Sequence, residues 1–195
     1  MIIGISGKIG SGKSHVAKFL KKKLKFATIQ EDKLINQLIE TDRIKSELVK
    51  LYGNRILYPN SKINREYLQK KYSRDDSTVR AFYQLLMPAV GREIRKILRE
   101  NEDNYIIDVS SPERYKITSF FDVSVLVTAP KALSFKRSKF KVPYKNFTNI
   151  WIWQKDTKKY DFIIENKTSI NDLKRDIEDL IIEMFKHQPK ADDEI

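Results

Sequence analysis

The sequence predicts an α/β fold with a mostly parallel sheet covered by helices on both faces. Three observations carry this: the candidate strands are short and apolar, they alternate with helical patterns, and a glycine-rich loop joins the first strand to the first helix. With 195 residues, 41% hydrophobic and 33% charged, the chain suits one domain with one core and is not a disordered polyelectrolyte.

Residues 1–6 carry Ile2, Ile3 and Ile5 and stop at Gly7, a buried-strand pattern. Residues 13–24 place Val16, Ala17, Phe19, Leu20 and Leu24 at helical spacing between lysines. Residues 26–30 read as a second strand. Residues 32–51 read as one helix, from Leu34, Ile35, Leu38 and Ile39 through Leu48 and Leu51. A loop with Pro59 and Asn60 covers 53–61, and helices follow over 64–72 and 76–100, with a kink expected at Pro88.

Strands at 105–109, 122–128 and 160–165 bring the sheet to five, and Ala129-Pro130 opens a helix after the fourth. Residues 169–185 close the fold as a helix with the stripe Ile170, Leu173, Ile177, Leu180, Ile181 and Met184; Ser169 and Asp172 resemble a capping box. The tail from His187 is polar and expected to fray. The segment between the second and third strands is nearly all helical, which predicts a helical subdomain beside the sheet.

Gly7-Lys8-Ile9-Gly10-Ser11-Gly12-Lys13-Ser14 satisfies G-x-x-x-x-G-K-[ST] at every fixed position, with a strand before it and a helix after it. The glycines let backbone N–H groups turn toward phosphate oxygens, and the following helix adds its positive end. Lys13 carries charge to the β- and γ-phosphates, and Ser14 offers a hydroxyl to Mg²⁺. The motif implies a nucleoside triphosphate and magnesium without choosing between kinase, ATPase and GTPase.

Asn166-Lys167-Thr168-Ser169 lacks the final aspartate of a guanine-reading Asn-Lys-x-Asp, which argues against a GTPase. Asp108, at the end of the third strand, reads either as a magnesium-side carboxylate or as an ordinary strand-end polar residue. Asp32 follows the second strand on the side where parallel sheets bind ligands; it reads either as a group that orients or deprotonates an acceptor hydroxyl, or as an acid suited to a helix start. Lys136, Arg137, Lys139, Lys141 and Lys145 form either a basic lid over the triphosphate or a solvated basic face; Arg137 is the best phosphate ligand among them. Small size and a helical insertion favour a kinase.

The formal net charge of +12 suits anionic partners, but no nucleic-acid signature accompanies it, so nucleic acid is not an expected partner. No stretch predicts a membrane span or a signal peptide, and the lack of cysteine excludes disulfides and fits a reducing cytoplasm, the expected location. No oligomeric state follows from the sequence.

The opening strand and loop through Ala17, Ile29-Gln30-Glu31-Asp32, Leu85-Leu86-Met87-Pro88, Lys136-Arg137, Gln154 and Tyr160-Asp161-Phe162-Ile163-Ile164-Glu165-Asn166 run in one order along the chain. Together they resemble the dephospho-coenzyme A kinase family, which has Ile-Asp-Ala-Asp, Leu-Leu-His-Pro and Ala-Asp-x-Val-Ile-Asp-Asn at the second, third and last of the multi-residue segments. The resemblance implies a P-loop kinase fold over residues 1–188, with a helical acceptor subdomain at about 40–101, a lid at about 138–158 and a polar tail at 189–195. It implies Mg-ATP as phosphoryl donor and dephospho-coenzyme A as acceptor.

Within that resemblance, Lys13, Asp32 and Arg137 are the catalytic candidates, with Asp32 as the base on the ribose 3′-hydroxyl. ATP falls to Gly7, Lys8, Ile9, Gly10, Ser11, Gly12, Lys13, Ser14 and His15, with Arg137 on the phosphates and Asn166 near the adenine. Leu85 and Leu86 are candidates to hold the pantetheine arm. The chain departs from the family at Gln30, at Met87 for histidine, at His15 for threonine and over Ser110-Ser111-Pro112-Glu113, and it is shorter between Gln154 and Asp161. The altered 110–113 segment keeps another small acceptor, a nucleoside or nucleotide, as the alternative. An ATP-switched RNA-binding protein is disfavoured because Asp32 and Arg137 are retained.

Overall fold

A computed structural model describes residues 1–138, 142–153 and 160–186. Five parallel strands form one sheet in the order β2-β3-β1-β4-β5: β1 Ile2–Ser6, β2 Ala27–Gln30, β3 Tyr105–Asp108, β4 Val123–Thr128 and β5 Phe162–Glu165. The apolar residues of the central strands serve both faces. Ile3, Ile5 and Ile106 pack against α1 (Lys13–Leu24) and α8 (Ile170–Lys186), whereas Tyr105 and Ile107 pack on the other face with Leu34, Val90 and Ile94. Gly4 of β1 faces the ring of Phe121 so closely that a Cβ would lie 2.1 Å from it. No side chain larger than hydrogen fits there.

The predicted helix over 32–51 is two helices, α2 (Glu31–Leu38) and α3 (Asp42–Tyr52). The helix tightens as Glu40 N–H and Thr41 N–H bond carbonyls three residues back, and the Thr41 hydroxyl donates to Leu38 O at 2.7 Å. Thr41 is extended at φ −70°, ψ 141°, the geometry of a helix start rather than a helix interior. The break turns Ile39 and Ile44 into one core with Leu48.

α4 (Arg65–Tyr72) and α5 (Asp76–Glu100) complete the helical insertion. Asp75 and Thr78 form a reciprocal cap at the start of α5, which runs through Pro88. Beyond β4, α6 (Lys131–Arg137) and α7 (Tyr144–Trp153) precede β5. The Ser169–Asp172 cap of α8 forms as expected, with Asp172 N–H bonding Ser169 Oγ at 3.2 Å. The polar tail lies outside the described residues. Among the described residues, no helix is long and apolar enough to cross a membrane.

Candidate active site

β1 lies between β3 and β4, so the loop leaving its carboxyl end opens at the point where strand order reverses. Gly7, Gly10 and Gly12 have φ of 146°, 74° and 104°, the left-handed region that side chains resist. Space is short as well: a Cβ on Gly10 would lie 2.1 Å from Ser134 O, and one on Gly12 would lie 2.1 Å from Asn166 Nδ2. Ser11 N–H closes the turn on Lys8 O at 3.1 Å. Gly12 is the N-cap of α1, whose first turn holds no acidic residue, so the positive helix end is left for an anion.

Lys13, the first residue of α1, folds its ammonium back to Lys8 O at 3.4 Å. Ile9 is buried with Phe147 and Ile150 of α7, and Lys8 Nζ sits 4.9 Å from the centre of the Trp151 ring. The phosphate loop is therefore anchored to the helical part of the molecule on one side and to the sheet on the other. His15 is exposed on the first turn of α1.

Two carboxylates stand at the strand ends beside this loop. Asp108 ends β3, is 6% exposed and accepts a 2.8 Å hydrogen bond from Ser14 Oγ. Burial raises its pKa, while the Lys13 charge and the Ser14 hydrogen bond lower it. The neighbouring β2 ends at Gln30, in register with Asp108, and Asp32 follows, exposed in the first turn of α2. No group of three or more His, Asp or Glu side chains capable of caging a metal occurs among the described residues. Ser14 with Asp108 fits a Mg²⁺ that takes most of its ligands from phosphate oxygens and water, which is the usual habit of that ion.

Arg137 ends α6, and its guanidinium donates to Asn166 O at 2.8 Å and to Thr168 O at 3.5 Å. Asn166 is 7% exposed, and its side-chain amide donates to Ser11 O at 2.8 Å. Arg137 and Asn166 thus link the end of α6, the loop after β5 and the phosphate loop. α7 belongs to the helical core: Phe147 and Ile150 are fully buried, and Asn149 Nδ2 donates to Ser73 O and Arg74 O at 3.0 and 2.9 Å. Lys139, Lys141 and Gln154 lie outside the described residues.

The dephospho-CoA kinase family model matches residues 1–172. The chain belongs to the dephospho-CoA kinase family. Its relatives include the dephospho-CoA kinase of Fusobacterium nucleatum, 27% identical, with 91% of this chain and 95% of that one covered. The dephospho-CoA kinase of Borrelia garinii is 29% identical, covering 73% and 69% of the two chains. Among solved structures, dephospho-CoA kinase from Campylobacter jejuni shares the fold, with a TM-score of 0.63 at 19% identity over 95% of this chain and 97% of that one.

One of the departing segments, 110–113, meets a side chain next to Asp32. Glu31 stands where dephospho-CoA kinases have the alanine of Ile-Asp-Ala-Asp, and sequence reasoning passed over it as part of a helix start. It is buried, and its carboxylate accepts hydrogen bonds from Ser110 N–H, Ser110 Oγ at 3.0 Å and Tyr115 Oη. Burial raises its pKa; the Tyr115 hydroxyl and the Ser110 N–H oppose the rise, while the Asp32 charge adds to it. Ser110 is the first residue of the segment that departs from the family.

A groove of about 460 Å³ runs between α3 and α5, with Leu38, Ile44, Leu85, Pro88 and Ala89 as apolar wall and Arg43 and Arg92 among its polar residues. Leu86, expected beside Leu85 on the substrate, is 1% exposed and belongs to the core. Leu38 ends α2, the helix that begins beside Asp32, and a rise of about 1.5 Å per residue puts the two about 9 Å apart along the axis.

Proposed function

We propose that this chain transfers the γ-phosphoryl group of Mg-ATP to the ribose 3′-hydroxyl of dephospho-CoA, giving CoA and ADP, the last step of CoA biosynthesis. The observation that carries this reading is the family match over residues 1–172 in a chain that keeps Asp32 at the strand ends beside a complete phosphate loop. The bond formed joins the 3′-oxygen to phosphorus, and the bond broken is the one between that phosphorus and the β,γ-bridging oxygen.

Asp32, open to solvent in the first turn of α2, orients the hydroxyl and takes its proton as the bond forms. Lys13 and the α1 N-terminus hold the β- and γ-phosphates and stabilise the charge that shifts onto the leaving oxygen. Bound Mg²⁺ would supply charge neutralisation between the two phosphates, held on the protein side by Ser14 and Asp108. Arg137 turns from its backbone partners to the phosphates once ATP is present, and Asn166 keeps the loop after β5 against the phosphate loop. The groove under Arg43 and Arg92 takes the pyrophosphate and pantetheine arm: guanidinium groups match the phosphates and the apolar wall matches the arm. A small anionic substrate, a basic chain and the absence of cysteine together suit the cytoplasm.

Incubation with Mg-ATP and dephospho-CoA, read by mass spectrometry, tests the assignment. Conversion to CoA supports it. No CoA, with rapid phosphorylation of a nucleoside or nucleotide, replaces dephospho-CoA with the alternative acceptor.

A further inference from the structure

We propose that Glu31 is a positioning residue for the phosphoryl acceptor, locking residues 110–115 to the end of β2 so that this loop and Asp32 keep one fixed relation. The inference rests on the kinase reading above. A buried carboxylate is expensive unless paired, and none of the described ion pairs involves Glu31: its partners are two hydroxyls and one backbone N–H. The alanine that the family resemblance places at this position would fill the helix start without that desolvation. A side chain retained against such an expense, one residue before Asp32 and within electrostatic reach of Lys13, does more than complete a core.

The partners of Glu31 lead in two directions. Ser110 is tied to the nucleotide side, because its carbonyl accepts from Ser6 Oγ at 3.4 Å, and Ser6 is the last residue of β1 before the phosphate loop. Tyr115 is tied to the helical insertion, because its carbonyl accepts from Arg95 Nη1 of α5 at 2.8 Å and sits against Gly91, where a Cβ would be 2.6 Å from it. Glu31 therefore joins the end of β1, the loop after β3 and α5 through one carboxylate. Releasing it frees the loop after β3 from the helix start that carries Asp32 and leaves the phosphate loop with its own hydrogen bonds. ATP binding should thus survive, and acceptor use should not. A segment that departs from the family resemblance, beginning at Ser110, is thus held by this carboxylate at both Ser110 and Tyr115.

The test compares wild type, Tyr115→Phe, Glu31→Gln and the double variant. ATP affinity is measured by calorimetry, and kcat and KM are measured for dephospho-CoA. Each single substitution should lower acceptor kcat/KM by about tenfold or more, with ATP affinity held within about twofold. The double variant should fall no further than the worse single, because both act on one contact. Acceptor kcat/KM near wild type in both singles overturns the proposal, as does an equal loss of ATP affinity. Tyr115→Phe deletes one oxygen and keeps the ring in the core, so it decides the matter alone should Glu31→Gln fail to fold. If wild type leaves dephospho-CoA unchanged, the acceptor assignment fails, and the same ratios measured with adenosine still decide the role of Glu31.

Discussion

Ser14 Oγ donates a 2.8 Å hydrogen bond to Asp108 Oδ2, joining the first turn of α1 to the carboxyl end of β3. The pair has opposite demands on it. Burial raises the Asp108 pKa above its ordinary value, against the Lys13 charge and the Ser14 hydrogen bond. A raised acid stabilises the folded state fully below its unfolded pKa, and that contribution is lost as pH rises through the folded pKa. Asp108→Asn keeps an oxygen for Ser14 and never ionises. Its melting temperature should therefore exceed that of wild type at pH 7, and the gain should shrink close to nothing by about pH 3, where Asp108 is mostly protonated even when unfolded. Turnover with Mg-ATP should meanwhile fall by about a hundredfold or more, through loss of charge beside the metal. Melting curves from about pH 3 to 8 with a parallel rate assay check both halves; a lower melting temperature at pH 7 contradicts the burial argument.

Lys13 and Asp32 should fail in different ways. Lys13→Ala removes the ammonium from the triphosphate site and should lower kcat/KM by about a thousandfold, with an unchanged circular dichroism spectrum because the side chain is not part of the core. Asp32→Asn keeps shape and loses the proton acceptor, so phosphoryl transfer should fall by about a hundredfold or more while ATP affinity stays close to wild type. Single-turnover rates on enzyme saturated with ATP separate the two. A collapse of ATP affinity in Asp32→Asn would move that residue from the acceptor to the metal or the fold.

Much of this was legible in the sequence, and the rest shows what periodicity cannot carry. The five strands and the phosphate loop came from local signals: short apolar runs, the first of them stopped by Gly7, and a motif whose every fixed residue has a backbone or charge reason. The split between α2 and α3 was signalled by Thr41-Asp42, a helix-start pair inside a run whose apolar stripe also lapses over 40–43. The stripe on either side of the lapse still read as one helix. Glu31 could not be found this way. Next to Asp32 it looks like a second acid at a helix N-terminus, and its partners Ser110 and Tyr115 lie 79 and 84 residues away. The aromatic packing of α7 was hidden for a related reason: Phe147 and Ile150 are spaced for a helix, but the lysines before them drew the reading toward a solvated or mobile segment.

Gly12 and Asn166 are matched by shape. A methyl on Gly12 would meet Asn166 Nδ2 at 2.1 Å, and its φ of 104° strains any other residue. Strain of about 1–3 kcal/mol, in a chain where each kcal/mol is worth about 2–4 °C, predicts that Gly12→Ala melts about 2–12 °C below wild type. ATP affinity should fall with it, since the N-cap of α1 shifts. Asn166→Ala clears the clash and forfeits the bond to Ser11 O. The double substitution should therefore lose less stability than the two singles added together. Additive losses would show that the two side chains do not compete for one space.

The groove between α3 and α5 makes the acceptor assignment testable residue by residue. Arg43 and Arg92 are exposed and lie apart from the phosphate loop, so they are free to bind the substrate without touching ATP. Interactions made equally with bound substrate and transition state show up in KM alone. Arg43→Ala and Arg92→Ala should each raise the KM for dephospho-CoA by about tenfold, or about 1.4 kcal/mol of binding, with kcat and the KM for ATP little changed. Raising the salt concentration should shrink the difference between wild type and variant, because screening weakens the wild-type contact and leaves alanine nothing to lose. Adenosine has the reacting hydroxyl and lacks the arm, so it should be a far poorer acceptor and should be phosphorylated equally by wild type and both variants. Equal impairment with adenosine would place the two arginines in the fold or the nucleotide site and leave the arm to bind elsewhere.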